Sequence, residues 1–132
     1  MATKSPSGSL CPYYYMGGEL HPLKYGSFFE DKSGLFETMK AEEEFILRSH
    51  GDKNRRIWID IYETKIDAEV VDKLALHLSE IKSKINRICI VGFPDSWKRN
   101  LGRKIKTFDA ELYDAIRFFK DPEEAKMWLV GK

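Results

Sequence analysis

The sequence predicts an α/β protein with a mostly parallel sheet of four to five strands and helices packed against it. Two short apolar runs, Ile57–Tyr62 and Arg87–Gly92, have the β-branched and aromatic composition of buried strands. Longer segments between the strands carry apolar residues at helical spacings of three and four. Because strands that alternate with helices over short connections favour right-handed βαβ units, this pattern predicts a parallel sheet.

The N-terminal part is the least regular. Residues 1–9 are polar and lack apolar periodicity, so we expect a flexible tail there and a single α/β domain over residues 10–132. Residues 10–34 carry short aromatic runs, such as Tyr13–Tyr15, between glycine and proline breakers. These runs predict one or two short strands with a turn at Gly17–Gly18, and they leave the strand pairing open.

The middle of the chain predicts a helix, a strand and a second helix. An imperfect apolar stripe over Leu35–Arg48 predicts a helix that stops at His50–Gly51. The strand Ile57–Tyr62 is apolar on both faces, so we expect it to be central, with Trp58 largely buried. Asp67 can cap the next helix. The apolar stripe of that helix consists of Val70, Leu74, Leu78, Ile81 and Ile85.

The C-terminal part repeats the alternation. Arg87–Gly92 predicts a second buried strand, with Cys89 and Ile90 in the core. A third short strand is expected over residues 114–119, and Asp121–Pro122 has the cap and first-turn proline of a last helix. The predicted order is therefore β-β-α-β-α-β-α-β-α. The helix between the last two strands places three apolar residues on one face: Trp97, Leu101 and Ile105.

Composition excludes several classes of partner. The 22 basic and 21 acidic residues leave a net charge of +1, so no overall field draws the chain to nucleic acid. We expect no transmembrane segment, because no apolar run approaches the roughly 18 residues that a membrane span needs. The two cysteines, Cys11 and Cys89, do not form a disulfide framework. A reducing, cytoplasmic location is therefore predicted.

The order of the motifs resembles a known family. Ile57–Asp67 resembles the STAS domain of anti-sigma factor antagonists, in which a hydrophobic strand and a short loop lead to an acidic helix start. The resemblance covers about residues 35–130, and it implies a SpoIIAA-like fold and a regulatory, protein-binding role. Four later features are similar to the SpoIIAA-like branch, namely strand Ile88–Gly92, Trp97, a late strand at residues 116–118 and a last helix ending in Trp128–Leu129.

One departure from the family affects the mechanism that the resemblance implies. Antagonists present a phosphorylatable serine at the helix start, and here Ala68 stands on or next to that position. The loop Asp60–Asp67 is also one residue shorter than in the family. Because alanine cannot accept a phosphate, the kinase-driven partner switch is not expected. Thr64 in the same loop is an alternative acceptor.

The sequence contains no motif that marks an enzyme. The three histidines, His21, His50 and His77, lack metal-ligand spacing, and no cysteine pairs with them. We expect His77 to be a surface or boundary residue and Glu42–Glu44 to lie on a solvated helix face. No serine lies in a nucleophile elbow, and no glycine-rich loop could hold a phosphate. Neither a catalytic activity nor a cofactor is therefore predicted.

Two groups of residues are predicted to form an interaction surface for a protein partner. The first group follows the central strand, where open α/β sheets place binding groups, and consists of Asp60, Thr64, Asp67 and Ala68. The second group is the basic face of the helix after Gly92 and consists of Lys98, Arg99, Arg103 and Lys104. A basic amphipathic helix can dock an acidic protein or lie on a membrane surface. The simpler interpretations are a capping role for Asp60 and an ordinary solvated face for the helix.

Two alternative functions remain open at this point. The aromatic N-terminal part, Tyr13–Tyr15 with Phe28 and Phe29, could line a crevice for a small apolar or lipid-like ligand, as in lipid carriers whose architecture is similar to STAS domains. An enzyme would depend on Asp60 and His77 alone. The leading hypothesis is a non-catalytic regulatory or protein-interaction module.

Overall fold

Five strands form the central sheet of the structure, a computed structural model that describes residues 3–11, 13–48 and 55–131. The strands lie in chain order: β3 (Tyr13–Tyr15), β4 (Gly18–Lys24), β5 (Arg55–Asp60), β6 (Ile85–Val91) and β7 (Ile116–Phe119). The pair β3–β4 is antiparallel, and the other three pairs are parallel. The fold class predicted from the sequence, a mostly parallel sheet of four to five strands with packed helices, is confirmed.

Five helices accompany this sheet. They are α1 (Lys32–Arg48), α2 (Ala68–Ile81), α3 (Asp95–Phe108), α4 (Ala110–Asp114) and α5 (Pro122–Val130), with a 3-10 turn at Lys82–Lys84 after α2. Within the described ranges, none of them is both long and apolar enough to cross a bilayer. The stop expected at His50–Gly51 lies outside the described residues.

The topology places most helices on one side of the sheet. Each parallel crossover steps to the next strand in the same direction, so right-handed crossovers carry α1, α2 and α3 to the same face. Among the described helices, only α5 packs on the opposite face, against Cys89, Val91 and Trp58. The strand order therefore has no reversal within the described residues. Ligand crevices of open α/β sheets form at such reversals, so a site has to be sought elsewhere in this fold.

The Trp58 side chain is less buried than the sequence predicts. Its side chain is partly buried, whereas Ile90 on the same sheet is fully buried as predicted. The Trp58 ring belongs to the smaller core beneath α5, a helix of nine residues, and the Lys126 ammonium lies 4.8 Å from its centroid. One short helix covers this face and leaves part of the indole uncovered. The Lys126 side chain lies over that ring.

Helix caps follow the sequence closely. Asp67 accepts a hydrogen bond from the Val70 amide at 3.0 Å, and Asp121 accepts one from the Glu123 amide at 2.9 Å, with Pro122 in the first turn of α5. The short helix α4 is not predicted by the sequence analysis. It begins after Asp109, whose carboxylate caps it, and it extends to Asp114, so that β7 begins only at Ile116.

Part of the segment for which a flexible tail is predicted, residues 3–9, lies in a short strand pair and its connection. Strand β1 (Thr3–Lys4) pairs antiparallel with β2 (Leu10–Cys11), and the Ser5 amide donates to the Ser9 carbonyl at 2.8 Å. The side chains of Ser5 and Ser9 are buried. This segment is polar because its hydroxyl groups face a buried carboxylate. The Ser5 hydroxyl donates to Glu42.

Candidate interaction site

A groove between α2 and α3 brings the two predicted groups of residues together. Its volume is about 250 Å³. Ala68 from the first group and Arg103 and Lys104 from the second group all line it. The complete lining is Ala68, Val71, Asp72, Trp97, Asn100, Arg103, Lys104 and Thr107.

The floor of this α2–α3 groove is apolar. Val71 is buried in the main core, and the Trp97 ring packs partly against the same core. Ala68 at the start of α2 is exposed and has only a methyl group. A larger side chain there would fill the end of the groove, so the small side chain of Ala68 keeps this end open.

The rim of the α2–α3 groove is basic. Lys104 reaches across it to the Asp72 carboxylate, with a nitrogen-to-oxygen distance of 3.6 Å. Arg103 is exposed, and so is Arg99, which lies one turn earlier on the same face of α3. Neither guanidinium forms an ion pair with a described residue. An exposed pair of this kind can meet a carboxylate of a partner without first breaking an internal salt bridge.

Lys98 does not belong to this rim. Its ammonium lies 2.6 Å from the Asp95 carboxylate and 5.4 Å from the centroid of the Phe118 ring, on the β7 side of α3. Five residues separate Lys98 from Arg103, which places their side chains on different sides of a helix. The predicted basic face is thus divided between two surfaces of α3.

Asp60 and Asp67 have structural roles. An Asp60 carboxylate oxygen accepts a hydrogen bond from the Tyr62 amide at 3.1 Å, which confirms the capping interpretation of this residue. Asp67 caps α2 and also pairs with the Lys32 ammonium of α1. That ammonium and the Val70 amide hold the pKa of the Asp67 carboxyl below its usual range. Both carboxylates are therefore engaged before any partner arrives.

Thr64 is also engaged. Its hydroxyl donates to the Tyr25 carbonyl at 2.7 Å and accepts from the Phe28 amide at 3.2 Å, and the side chain is buried. These bonds join the loop after β4 to the loop after β5. Phosphorylation of Thr64 would remove the hydrogen that is donated to Tyr25 and would require the buried oxygen to become accessible, so this residue is a poor phosphate acceptor in the folded chain.

The same two loops contain a cluster of strained residues that the sequence analysis missed. Ser27, Phe29 and Glu63 have positive φ angles of 62°, 51° and 58°. Backbone bonds hold this arrangement, since the Phe29 amide donates to the Glu63 carbonyl at 2.8 Å and the Lys65 amide donates to the Phe29 carbonyl at 2.8 Å. The Phe29 side chain is left 62% exposed. No glycine or asparagine marks these positions, so the sequence carries no signal for them.

His77 is buried, which corrects the prediction of a surface or boundary residue. Its Nε2 atom lies 2.7 Å from the Tyr25 hydroxyl oxygen, and its Nδ1 atom lies 3.1 Å from the Glu43 carboxylate. Burial raises the pKa of the Tyr25 hydroxyl well above its usual value. The chain of hydrogen bonds resembles a catalytic relay in its geometry, but it ends in a fully buried tyrosine that no substrate can reach.

Glu42 is fully buried, so the prediction of a solvated face over Glu42–Glu44 is wrong at this position. Its carboxylate accepts hydrogen bonds from the Ser5 hydroxyl at 2.7 Å and the Ser7 amide at 2.9 Å, and it lies 3.1 Å from His21 Nε2. Burial raises the pKa of the Glu42 carboxyl, but the bonds from His21, Ser7 and Ser5 outweigh burial and hold the pKa below its usual value.

The protonation of His21 follows from its second neighbour. The Arg55 guanidinium lies 3.1 Å from His21 Nδ1, and a guanidinium can only donate. The Nδ1 atom is therefore the acceptor in this contact, and Nε2 carries the proton that is donated to Glu42. These buried groups form no metal centre, and the described residues contain no cluster of three or more potential ligands of the His, Cys, Asp and Glu types.

The aromatic residues that suggested a ligand crevice contribute to packing. Tyr13 and Tyr15 lie on the α5 side of the sheet, with the Lys126 ammonium 5.7 and 5.6 Å from their ring centroids. Phe28 packs against the main core. Two residues of this group stay largely exposed: Phe29 in the strained loops and Tyr14 on β3.

Fold and site together define an α/β protein with a singly wound sheet and a basic, apolar-floored groove between two helices. Comparison of the chain with protein-family models, with curated proteins and with solved structures gives no match.

Proposed function

We propose that this chain is a non-catalytic regulatory or protein-interaction module that binds an acidic segment of a partner protein in the α2–α3 groove. The observation that carries the proposal is the combination of an apolar floor at Val71 and Trp97 with an exposed rim residue, Arg103, that has no ion pair to a described residue. Apolar contact supplies affinity in such a groove, and the charges select the partner and speed its association.

The arrangement of the titratable residues supports a binding role. The two buried hydrogen-bonded groups, around Glu42 and around His77, are satisfied internally and lie away from the groove lining. The groove itself offers Arg103, Lys104 and Asp72 but no histidine, cysteine or serine. Its chemistry suits recognition of a carboxylate better than bond cleavage.

A STAS-like identity of the SpoIIAA type belongs to the same proposal. The resemblance implies that partners contact the start of the helix after the central strand, and in this chain Ala68 at the start of α2 lines the groove. With alanine there, the interaction is not switched by phosphorylation at this position. A cytoplasmic location belongs to the same proposal, and the free thiol of Cys89 is compatible with it.

Site-specific photo-crosslinking tests the proposal in the cell of origin. A photo-reactive amino acid replaces Asn100, which lines the groove, and in a control chain it replaces Lys40, which is exposed on α1. We expect the variant at position 100 to crosslink to an acidic segment of one protein, identified by mass spectrometry of the crosslinked peptide. The variant at position 40 should not yield that product.

A charge reversal provides the matched control. Arg103→Glu in the chain with the crosslinker at position 100 should reduce the crosslinked product at least about tenfold, because it places like charges at the contact. Lys40→Glu makes the same change of charge on another exposed helix and should leave the yield unchanged. Equal yields from both variants, or a crosslinked segment without acidic residues, would contradict the proposal.

A further inference from the structure

Strand β7 forms one edge of the sheet. Among the described residues it pairs only with β6, in the parallel register Ile88 to Ile116 and Ile90 to Phe118. Edge strands carry a row of backbone donors and acceptors that can pair with another chain, and proteins usually protect them. This surface lies on the other side of α3 from the α2–α3 groove and does not depend on it.

A second groove, with a volume of about 480 Å³, runs across this edge. Its walls come from both faces of the sheet, because Gly102 and Ile105 belong to α3 on one face and Trp128 belongs to α5 on the other. Ile116, Arg117 and Phe118 of β7 lie between these walls. A groove with this lining leaves the outer side of β7 accessible along its length.

The register shows which backbone groups of β7 point into this β7-edge groove. The Ile88 amide donates to the Ala115 carbonyl at 2.8 Å. Because backbone bonds alternate along a parallel strand, residues 115, 117 and 119 face β6, and the amides and carbonyls of Ile116 and Phe118 face outward. Two residues with outward backbone groups offer up to four hydrogen bonds to an added strand.

The charges at the edge indicate the chemistry of that strand. Lys98 and Arg117 line the β7-edge groove on opposite faces of the sheet. Arg117 lies over the Trp128 ring, with 5.1 Å from the guanidinium carbon to the ring centroid, and Arg87 lies 5.1 Å from the same centroid. Because the Arg117 guanidinium stacks on Trp128, its charge lies on the α5 side of β7. Asp114 is the acidic residue in the lining.

We propose that β7 binds an extended, acidic segment of a partner protein as a sixth strand of the sheet. Alternate side chains of an added strand point to opposite faces. Apolar residues of the segment would then contact Gly102 and Ile105 on the α3 side, and acidic residues would meet Arg117 on the α5 side. Binding by strand addition takes its affinity from the main chain and its selectivity from such alternating contacts.

Amide hydrogen exchange measured by NMR tests this proposal with a defined probe, an acetylated and amidated eight-residue peptide of alternating valine and glutamate. In the unliganded protein we expect slow exchange at Arg117 and fast exchange at Ile116 and Phe118. Saturating peptide should slow exchange at Ile116 and Phe118 at least about tenfold, because their amides become bonded. The same peptide with lysine in place of glutamate should give no protection.

Two variants separate this site from the α2–α3 groove. Arg117→Glu should weaken peptide binding at least tenfold, and Arg103→Glu, the matched reversal on the other side of α3, should leave it unchanged. Absence of protection at millimolar peptide would overturn the proposal. Protection of Ile116 and Phe118 that rises with protein concentration in the absence of peptide would also overturn it, because a second copy of the chain would then be the occupant.

Discussion

At the scale of single residues, Glu42 is the most unusual feature of the molecule. A fully buried carboxylate is costly unless it is paired, and here the hydroxyl of Ser5, the amide of Ser7 and the imidazole of His21 satisfy it. The interaction joins the N-terminal hairpin to α1 and to β4. A single side chain thus connects three parts of the chain that are distant in sequence.

The low pKa of Glu42 predicts how the stability of the fold depends on pH. Because the folded pKa lies below the usual value of 4.5, the ionised carboxylate stabilises the fold above that pH, and this stabilisation is lost as pH falls through the folded pKa. The free energy of unfolding, measured by urea denaturation between pH 7 and pH 3, should therefore decrease with acid more steeply in the wild type than in Glu42→Gln.

The matched control is Glu44→Gln, which removes an exposed carboxylate from the same helix. Its pH profile should follow that of the wild type. At pH 7, Glu42→Gln should also lower the free energy of unfolding by about 1–3 kcal/mol, because a neutral amide replaces a charge-assisted acceptor. Identical profiles for Glu42→Gln and the wild type would mean that the carboxylate is not ionised in the folded state.

At the scale of elements, the start of α2 forms one end of the α2–α3 groove. Asp67 caps the helix, and the next residue, Ala68, lies at the end of the α2–α3 groove. A serine at position 68 would present an exposed hydroxyl at a helix N-terminus, where the helix dipole favours a phosphate. Ala68 has no hydroxyl, so in this chain the helix start offers no phosphate acceptor at this position.

This arrangement predicts the outcome of a phosphorylation assay with a serine kinase of the anti-sigma type. The wild type should show no change in intact mass, because Ala68 has no hydroxyl and that of Thr64 is buried. Ala68→Ser should gain the mass of one phosphate. A phosphorylated Thr64 in the wild type would contradict the prediction and would show that the two loops open during the reaction.

At the scale of the whole molecule, the sheet separates two cores of unequal size. The larger core lies under α1, α2 and α3, and the smaller one holds α5 against the opposite face through Leu20, Val91 and Leu129. Both candidate grooves flank α3. The large core provides a rigid support for that helix, and the smaller core forms one wall of the β7-edge groove.

Substitutions at Trp58 test how much the smaller core contributes to the free energy of unfolding. Trp58→Ala should lower the free energy of unfolding by about 3 kcal/mol, near the lower end of the range for core tryptophans because the ring is only partly buried. Trp58→Phe should cost clearly less, since the indole Nε1 has no hydrogen-bond partner among the described residues and leaves no acceptor unsatisfied. Urea denaturation measures both, and an unchanged midpoint for Trp58→Ala would exclude the ring from the core.

The sequence by itself determined the central parallel strands and the longer helices, because hydrophobic periodicity and helix caps are local signals. The strands around Ile57 and Ile88 and the caps Asp67 and Asp121 follow from neighbouring residues alone. A local signal for Glu42 also exists. It lies in the buried stripe of α1 at spacings of four and three: Leu35, Met39, Glu42 and Ile46.

Only the tertiary structure decided what those positions contact. Glu42 and His77 are buried because their partners arrive from elsewhere in the fold, Ser5 and His21 for the first and Tyr25 for the second. The division of the basic face between Lys98 and Arg103 likewise depends on where α2 and β7 lie around α3. Burial of a polar residue is set by long-range contacts, and no local pattern of residues encodes them.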